Sequence, residues 1–199
     1  MRLTGARIAT GPRTTTHRDL TIRDGRIHFD ASADQSLDLT GHLLLPGLIN
    51  AHDHLEFNLF PLLGNRLYAN AREWAADIYR PTQSPVAEHL AVPKHVRLCW
   101  GGLRNLLSGV TTVAHHNPFE EEIFDARFPV RVLRRFSWAH SLDFSPDLLT
   151  PYRDTPEDSP FIIHAAEGID AKAASEIAHL DDLGVLGPRT VLVHALAAG

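Results

Sequence analysis

The sequence predicts an α/β fold with a parallel main sheet, preceded by a small antiparallel β region. Three observations predict it: short apolar strands alternate with stretches of helical spacing, the first forty residues carry only strand and turn signals, and the later strands end in histidine-bearing polar clusters.

From Leu3 to Leu44, short apolar stretches are separated by Gly11-Pro12 and Asp24-Gly25. Asp-Gly between two β-rich runs is a strong hairpin signal, so residues 1–44 are expected to form a small antiparallel β (sandwich) domain. Leu43 to Asn50 is almost continuously apolar and leads into Ala51-His52-Asp53-His54, as a strand buried on both faces would. Asn58 to Pro93 reads as irregular. Lys94 to Leu107 has helical spacing at Val96, Trp100, Leu103, Leu106 and Leu107 and ends at Ser108-Gly109. A second strand, Val110 to Ala114, finishes at His115-His116-Asn117-Pro118, and a third, weaker one spans Val130 to Trp138 before His140. Phe161-Ile162-Ile163 runs into His164-Ala165-Ala166-Glu167, a helix from about Asp170 to Leu183 stops at Gly184, and Thr190 to Val193 runs into His194. This alternation implies right-handed βαβ units.

The 199 residues include 19 Lys plus Arg and 24 Asp plus Glu, a net charge of −5. The basic residues are scattered, which argues against a nucleic-acid or anionic-membrane surface. No uncharged apolar run reaches the roughly 18 residues of a membrane span. The N-terminus lacks the apolar stretch of a secretory signal and Cys99 is a single cysteine, so a reducing cytoplasm is the expected location. Beside Trp100 in a predicted helix, Cys99 reads as a small buried residue rather than a nucleophile.

Thirteen histidines make histidine motifs cheap. Random placement would give about 0.8 His-x-His and about 0.6 His-x-x-Glu, and each occurs once, so position must carry the argument. The C-terminal ends of parallel strands share one face, which gathers His52 and His54, His115 and His116, His164, and His194. Converging neutral imidazoles are ligands for a catalytic divalent ion, and two positions apart on a strand, His52 and His54 point the same way. Glu167 lies three residues past His164, placed to take a proton from a water on that ion and pass it to a leaving group. Taken singly, His115, His116 or His140 reads as an ordinary hydrogen-bonded residue. His17, His28, His42, His89, His95 and His179 have no evident partners.

Leu45-Pro46-Gly47-Leu48-Ile49-Asn50-Ala51-His52-Asp53-His54, Gly109-Val110-Thr111-Thr112-Val113, His164-Ala165-Ala166-Glu167 and Val191-Leu192-Val193-His194, taken in order, resemble the metal-dependent amidohydrolase superfamily, in particular its cytosine deaminase and chlorohydrolase-like branch. The resemblance implies a (β/α)8 TIM-like barrel over residues 45–199 and hydrolysis of a non-peptide carbon–nitrogen bond in a small polar molecule. It makes His52, His54 and His164 metal ligands and Glu167 the proton shuttle, while His194 either ligates the metal or contacts the substrate. His115, His116, Asn117, Trp138 and His140 would line the pocket. Lys94 and Lys172 fall in predicted helices, so no lysine bridges two ions and one Zn or Fe(II) ion is implied. The family pattern also has an aspartate on the eighth strand, and the stretch after Pro46 falls short of the about 250 residues of a whole barrel. A partial barrel is therefore expected. The alternative expectation is a non-catalytic fragment that acts as a binding or assembly module, forms a homo-oligomer, or is completed by a C-terminal chain.

Overall fold

A computed structural model describes residues 1–198. The chain divides into two compact units, Met1–Gly47 and Leu48–Gly199.

The first unit holds β1 (Arg2–Thr4), β2 (Arg7–Gly11), β3 (Thr14–His17), β4 (Leu20–Arg23), β5 (Arg26–His28), β6 (Ser36–Asp38) and β7 (Leu43–Leu44). They form two sheets, ordered β5-β4-β1-β6 and β3-β2-β7. The β4–β5 hairpin turns at Asp24 and Gly25, with φ of 52° and 68°, the left-handed pair that a two-residue turn compatible with strand twist requires. The unit is not wholly antiparallel, because β6 joins β1 and β7 joins β2 in parallel. Parallel neighbours need a crossover instead of a tight turn, and the intervening hairpins provide it.

The second unit is mixed α/β. Strands β8 (Leu48–Asp53), β9 (Val110–His115) and β10 (Arg131–Val132) form one parallel sheet in the order β10-β9-β8, and β11 (Ser137–Ala139), β12 (Phe161–Ala165) and β13 (Thr190–His194) form another in sequence order. The helices are α1 (Ala71–Ile78), α2 (Val86–Ala91), α3 (Lys94–Leu107), α4 (Leu149–Asp154) and α5 (Ala171–Asp182). Among the described residues the sheets form neither a closed barrel nor a clear part of one. Three apolar clusters support them. One surrounds Leu55, Leu98 and Val113, a second surrounds Phe161, Ile163 and Leu180, and a small one of Ala114, Phe136 and Ile162 joins the two sheets.

Several sequence expectations are corrected. Leu43 to Asn50 is not one buried strand: it splits at Pro46-Gly47 into β7 and β8, and β8 is a sheet edge with Leu48 and Ile49 exposed. Val130 to Trp138 splits into β10 and β11, each in a different sheet, because its interrupting arginines break the apolar run while Phe136 turns into the bridging cluster. The stretch from Asn58 to Pro93 contains α1 and α2. Its overlooked signal is Asn70-Ala71-Arg72-Glu73, a capping sequence in which Asn70 Oδ1 accepts from the Glu73 N–H at 2.9 Å.

The largest correction concerns α3. Its bounds agree with the sequence pattern, but Val96, Trp100, Leu103, Leu106 and Leu107 face outward, and the buried face consists of Arg97, Leu98, Gly101, Gly102 and Asn105. Cys99 is likewise exposed instead of buried. The cause is close backbone packing. A Cβ at Gly101 would strike the Leu55 carbonyl, so the glycine face docks on the turn that follows His54.

Candidate metal centre and cleft

The ends of β8, β9, β12 and β13 bring histidines together. His164 is the hub: its ring centroid lies 4.6 Å from His52, 5.3 Å from His54, 4.5 Å from His116, 4.7 Å from His140 and 5.3 Å from His194. One ligating atom from each of His52, His54 and His164 falls within 4.8 Å of the others.

Hydrogen bonds behind the rings fix which nitrogen each presents. His164 Nδ1–H donates to the His140 carbonyl at 2.7 Å, and His54 Nδ1–H donates to Asn117 Oδ1 at 3.0 Å. In the neutral rings both Nε2 atoms then carry lone pairs, and these face each other at 3.4 Å. Two bare lone pairs at that distance repel unless a cation lies between them. The separation also matches a tetrahedral ion, since Zn–N bonds of about 2.0–2.1 Å place two ligand nitrogens about 3.4 Å apart. His52 Nε2 is buried without any hydrogen-bond partner. Three nitrogen donors without other partners therefore fit a divalent ion of borderline softness.

Burial keeps these rings uncharged. It is the main cause that pushes His52 down to about 4, His116 to about 3 and His164 to about 2, and it also lowers His54, His140 and His194. Glu167 moves the opposite way, raised to about 7 by desolvation and then by the nearby Glu176. His194 Nε2 lies 3.2 Å from Glu167 Oε1. Burial thus disfavours charge on both partners of this contact.

At the end of β8, Asp53 is held by three amides: Asn105 Nδ2 at 2.6 Å, Asn58 Nδ2 at 2.7 Å and Asn50 Nδ2 at 3.1 Å. The sequence reading missed this anchor. The available signal was Asn105, a polar residue inside a predicted helix, and its amide ties α3 to the His52 strand.

Not every nominated residue faces the cleft. Asn117, Trp138, His140, His164 and Glu167 line an open cavity of about 1170 Å³, with α1 as another wall. His115 does not. Its Nδ1 accepts from the Leu55 N–H at 3.3 Å, and its Nε2 points to Glu56 Oε2 at 3.6 Å, both atoms buried and otherwise unpartnered. His116 is fully buried behind the cluster, where its Nε2–H donates to the Ala139 carbonyl at 3.0 Å. His115 and His116 are therefore buried and lie outside the lining of this cavity.

No family model matches the chain. It is similar to a 5-methylthioadenosine/S-adenosylhomocysteine deaminase of Syntrophobacter fumaroxidans, 24% identical over 86% of this chain and 49% of the relative. An imidazolonepropionase of Klebsiella pneumoniae is 29% identical over 69% of this chain and 36% of the relative. A 5-methylthioadenosine/S-adenosylhomocysteine deaminase of Pyrococcus furiosus is 32% identical over 59% of this chain and 28% of the relative. The chain spans about half or less of the length of these curated relatives. No helix among the described residues is long and apolar enough to cross a membrane.

Proposed function

We propose that the chain carries the histidine centre of a metal-dependent hydrolase of the amidohydrolase superfamily, acting on a carbon–nitrogen bond outside a peptide, in the manner of its deaminase branch. The observation that carries this reading is the meeting of the His54 and His164 lone pairs beside the unpartnered His52 Nε2. The names of the similar proteins support the reaction class.

His52, His54 and His164 would hold one Zn or Fe(II) ion. When bound, such an ion supplies Lewis acidity and makes a coordinated water acidic enough to ionise near neutral pH. Glu167, poised near pH 7, accepts the proton of the attacking water and returns it to the departing nitrogen. His194 holds the Glu167 carboxylate at 3.2 Å. Of the two roles the resemblance allows His194, this contact favours orienting Glu167 and the substrate over ligation. Asn117 and His140 hold the backs of the ligand rings and reach the cleft. The mixed walls of the cleft, with Phe57, Phe60 and Trp74 beside Asn117 and Glu167, suit a small planar polar molecule with an apolar portion. The free edges of β8 and β13 leave room for further strands, either from the same polypeptide or from a partner chain, that would supply the aspartate implied by the resemblance.

The test measures bound zinc and ammonia release from 5′-deoxyadenosine and 5-methylthioadenosine, using this chain alone and a form extended at its C-terminus. Stoichiometric zinc in both, lost in His52→Ala, supports the centre. Absence of zinc from both forms sinks it.

A further inference from the structure

The segment that carries Glu167 is stitched to the start of α1. Ile169 N–H donates to the Ala69 carbonyl at 2.8 Å, and Ala71 N–H, a helix-end amide without an intrahelical partner, donates to the Glu167 carbonyl at 2.9 Å. Asn70 and Gly168 pair as an isolated antiparallel bridge. The approach is so close that a Cβ on Gly168 would strike the Ala69 carbonyl and Asn70. On the other side, Ala166, at φ 52°, donates its N–H to Glu176 Oε2 on α5 at 2.9 Å. The Glu167 backbone is thus gripped between α1 and α5.

Two helix caps lock this grip. Asn70 caps α1 through its Oδ1, and Asp170 caps α5 through an Oδ1 that accepts from the Ala173 N–H at 2.9 Å. Each cap has one terminal atom left over, and these two atoms bond to each other: Asn70 Nδ2 donates to Asp170 Oδ2 at 2.6 Å. The residues are 100 positions apart in sequence. A helix cap needs only one oxygen, so the cross-link is an additional feature.

We propose that Asn70 is a positioning residue: through Asp170 it fixes the backbone of Glu167 against α1, so that the proton-handling carboxylate and the α1 wall of the cleft keep one relative placement. The assignment rests on the proposed role of Glu167, but the clamp itself can be tested without catalysis.

The experiment compares Asn70→Ser, Asn70→Asp, Asp170→Asn and the double exchange Asn70→Asp/Asp170→Asn in the full chain. Amide hydrogen exchange at Ala71 and Ile169 is read by NMR, and zinc content is measured beside it. Asn70→Ser keeps the cap and removes only the cross-link, and Asn70→Asp sets two carboxylates against each other. Both should speed exchange at Ile169 by about tenfold or more, as loss of a hydrogen bond to a charged group predicts. The double exchange swaps donor and acceptor, retains both caps, and should restore slow exchange. Zinc content should stay at the wild-type level throughout. In the active extended form, kcat should fall in the single variants with KM little changed, and recover in the double exchange. Wild-type exchange rates in folded Asn70→Ser, or a folded double variant that fails to restore protection, would overturn the proposal. If the parent chain binds no zinc, the hydrolase reading falls while the exchange result still decides the clamp.

Discussion

At the scale of the residue, the site depends on which atoms lack a partner. His54 and His164 use their Nδ1 protons on Asn117 and the His140 carbonyl, which leaves the Nε2 lone pairs to each other. Glu167→Gln keeps the shape and removes the proposed proton acceptor, so turnover should fall by about 10²-fold or more with zinc content unchanged, as read by ammonia release and metal analysis. Acid should unfold the metal-free chain by the same logic. An unfolded histidine titrates near 6.5, whereas folded His52, His116 and His164 titrate near 4, 3 and 2. Below pH 6.5 the unfolded state therefore binds more protons, and stability present above that pH is lost as pH falls towards the folded values. Glu167 opposes this: its raised value contributes stability that is full below 4.5 and lost as pH rises through about 7. One carboxyl against three imidazoles leaves a net loss, so the melting temperature should drop between pH 7 and pH 5. An unchanged melting temperature would mean the rings are not held neutral.

At the scale of the element, strand ends were legible and helix faces were not. His52, His164 and His194 lie at strand ends because short, largely apolar runs precede them, a pattern local enough to read directly. The face of α3 was illegible because its apolar residues suggest one side while Gly101 and Asn105 dock on the other. Sequence periodicity records side-chain hydrophobicity and is blind to backbone contact. Helix α1 was hidden in the same way, since only its cap announces it. Gly101→Ala tests the reading of α3. The added methyl would press on the Leu55 carbonyl just after His54, at a cost of about 1–3 kcal/mol. Denaturant unfolding should show that loss, together with weaker zinc binding; full stability would refute the docked glycine face.

At the scale of the whole molecule, composition and strand alternation gave the α/β class, but two separate three-stranded sheets stand where a partial barrel was expected. Barrel closure depends on pairing between strands far apart in sequence, which no local pattern encodes. The histidine centre survives this difference because it needs only the parallel strand ends on one side. An ion that binds the folded chain should stabilise it by about 2.7 kcal/mol when free zinc exceeds Kd a hundredfold. Thermal melts should accordingly rise with zinc and fall back with chelator. The most direct test of the shared ion is X-ray absorption on the zinc-loaded chain and on His52→Ala, His54→Ala and His164→Ala. The expected result is one zinc with three imidazole nitrogens at about 2.0–2.1 Å, losing one nitrogen or the metal itself in each variant. A zinc shell without imidazole scattering, or one unchanged in all three variants, would contradict the central claim.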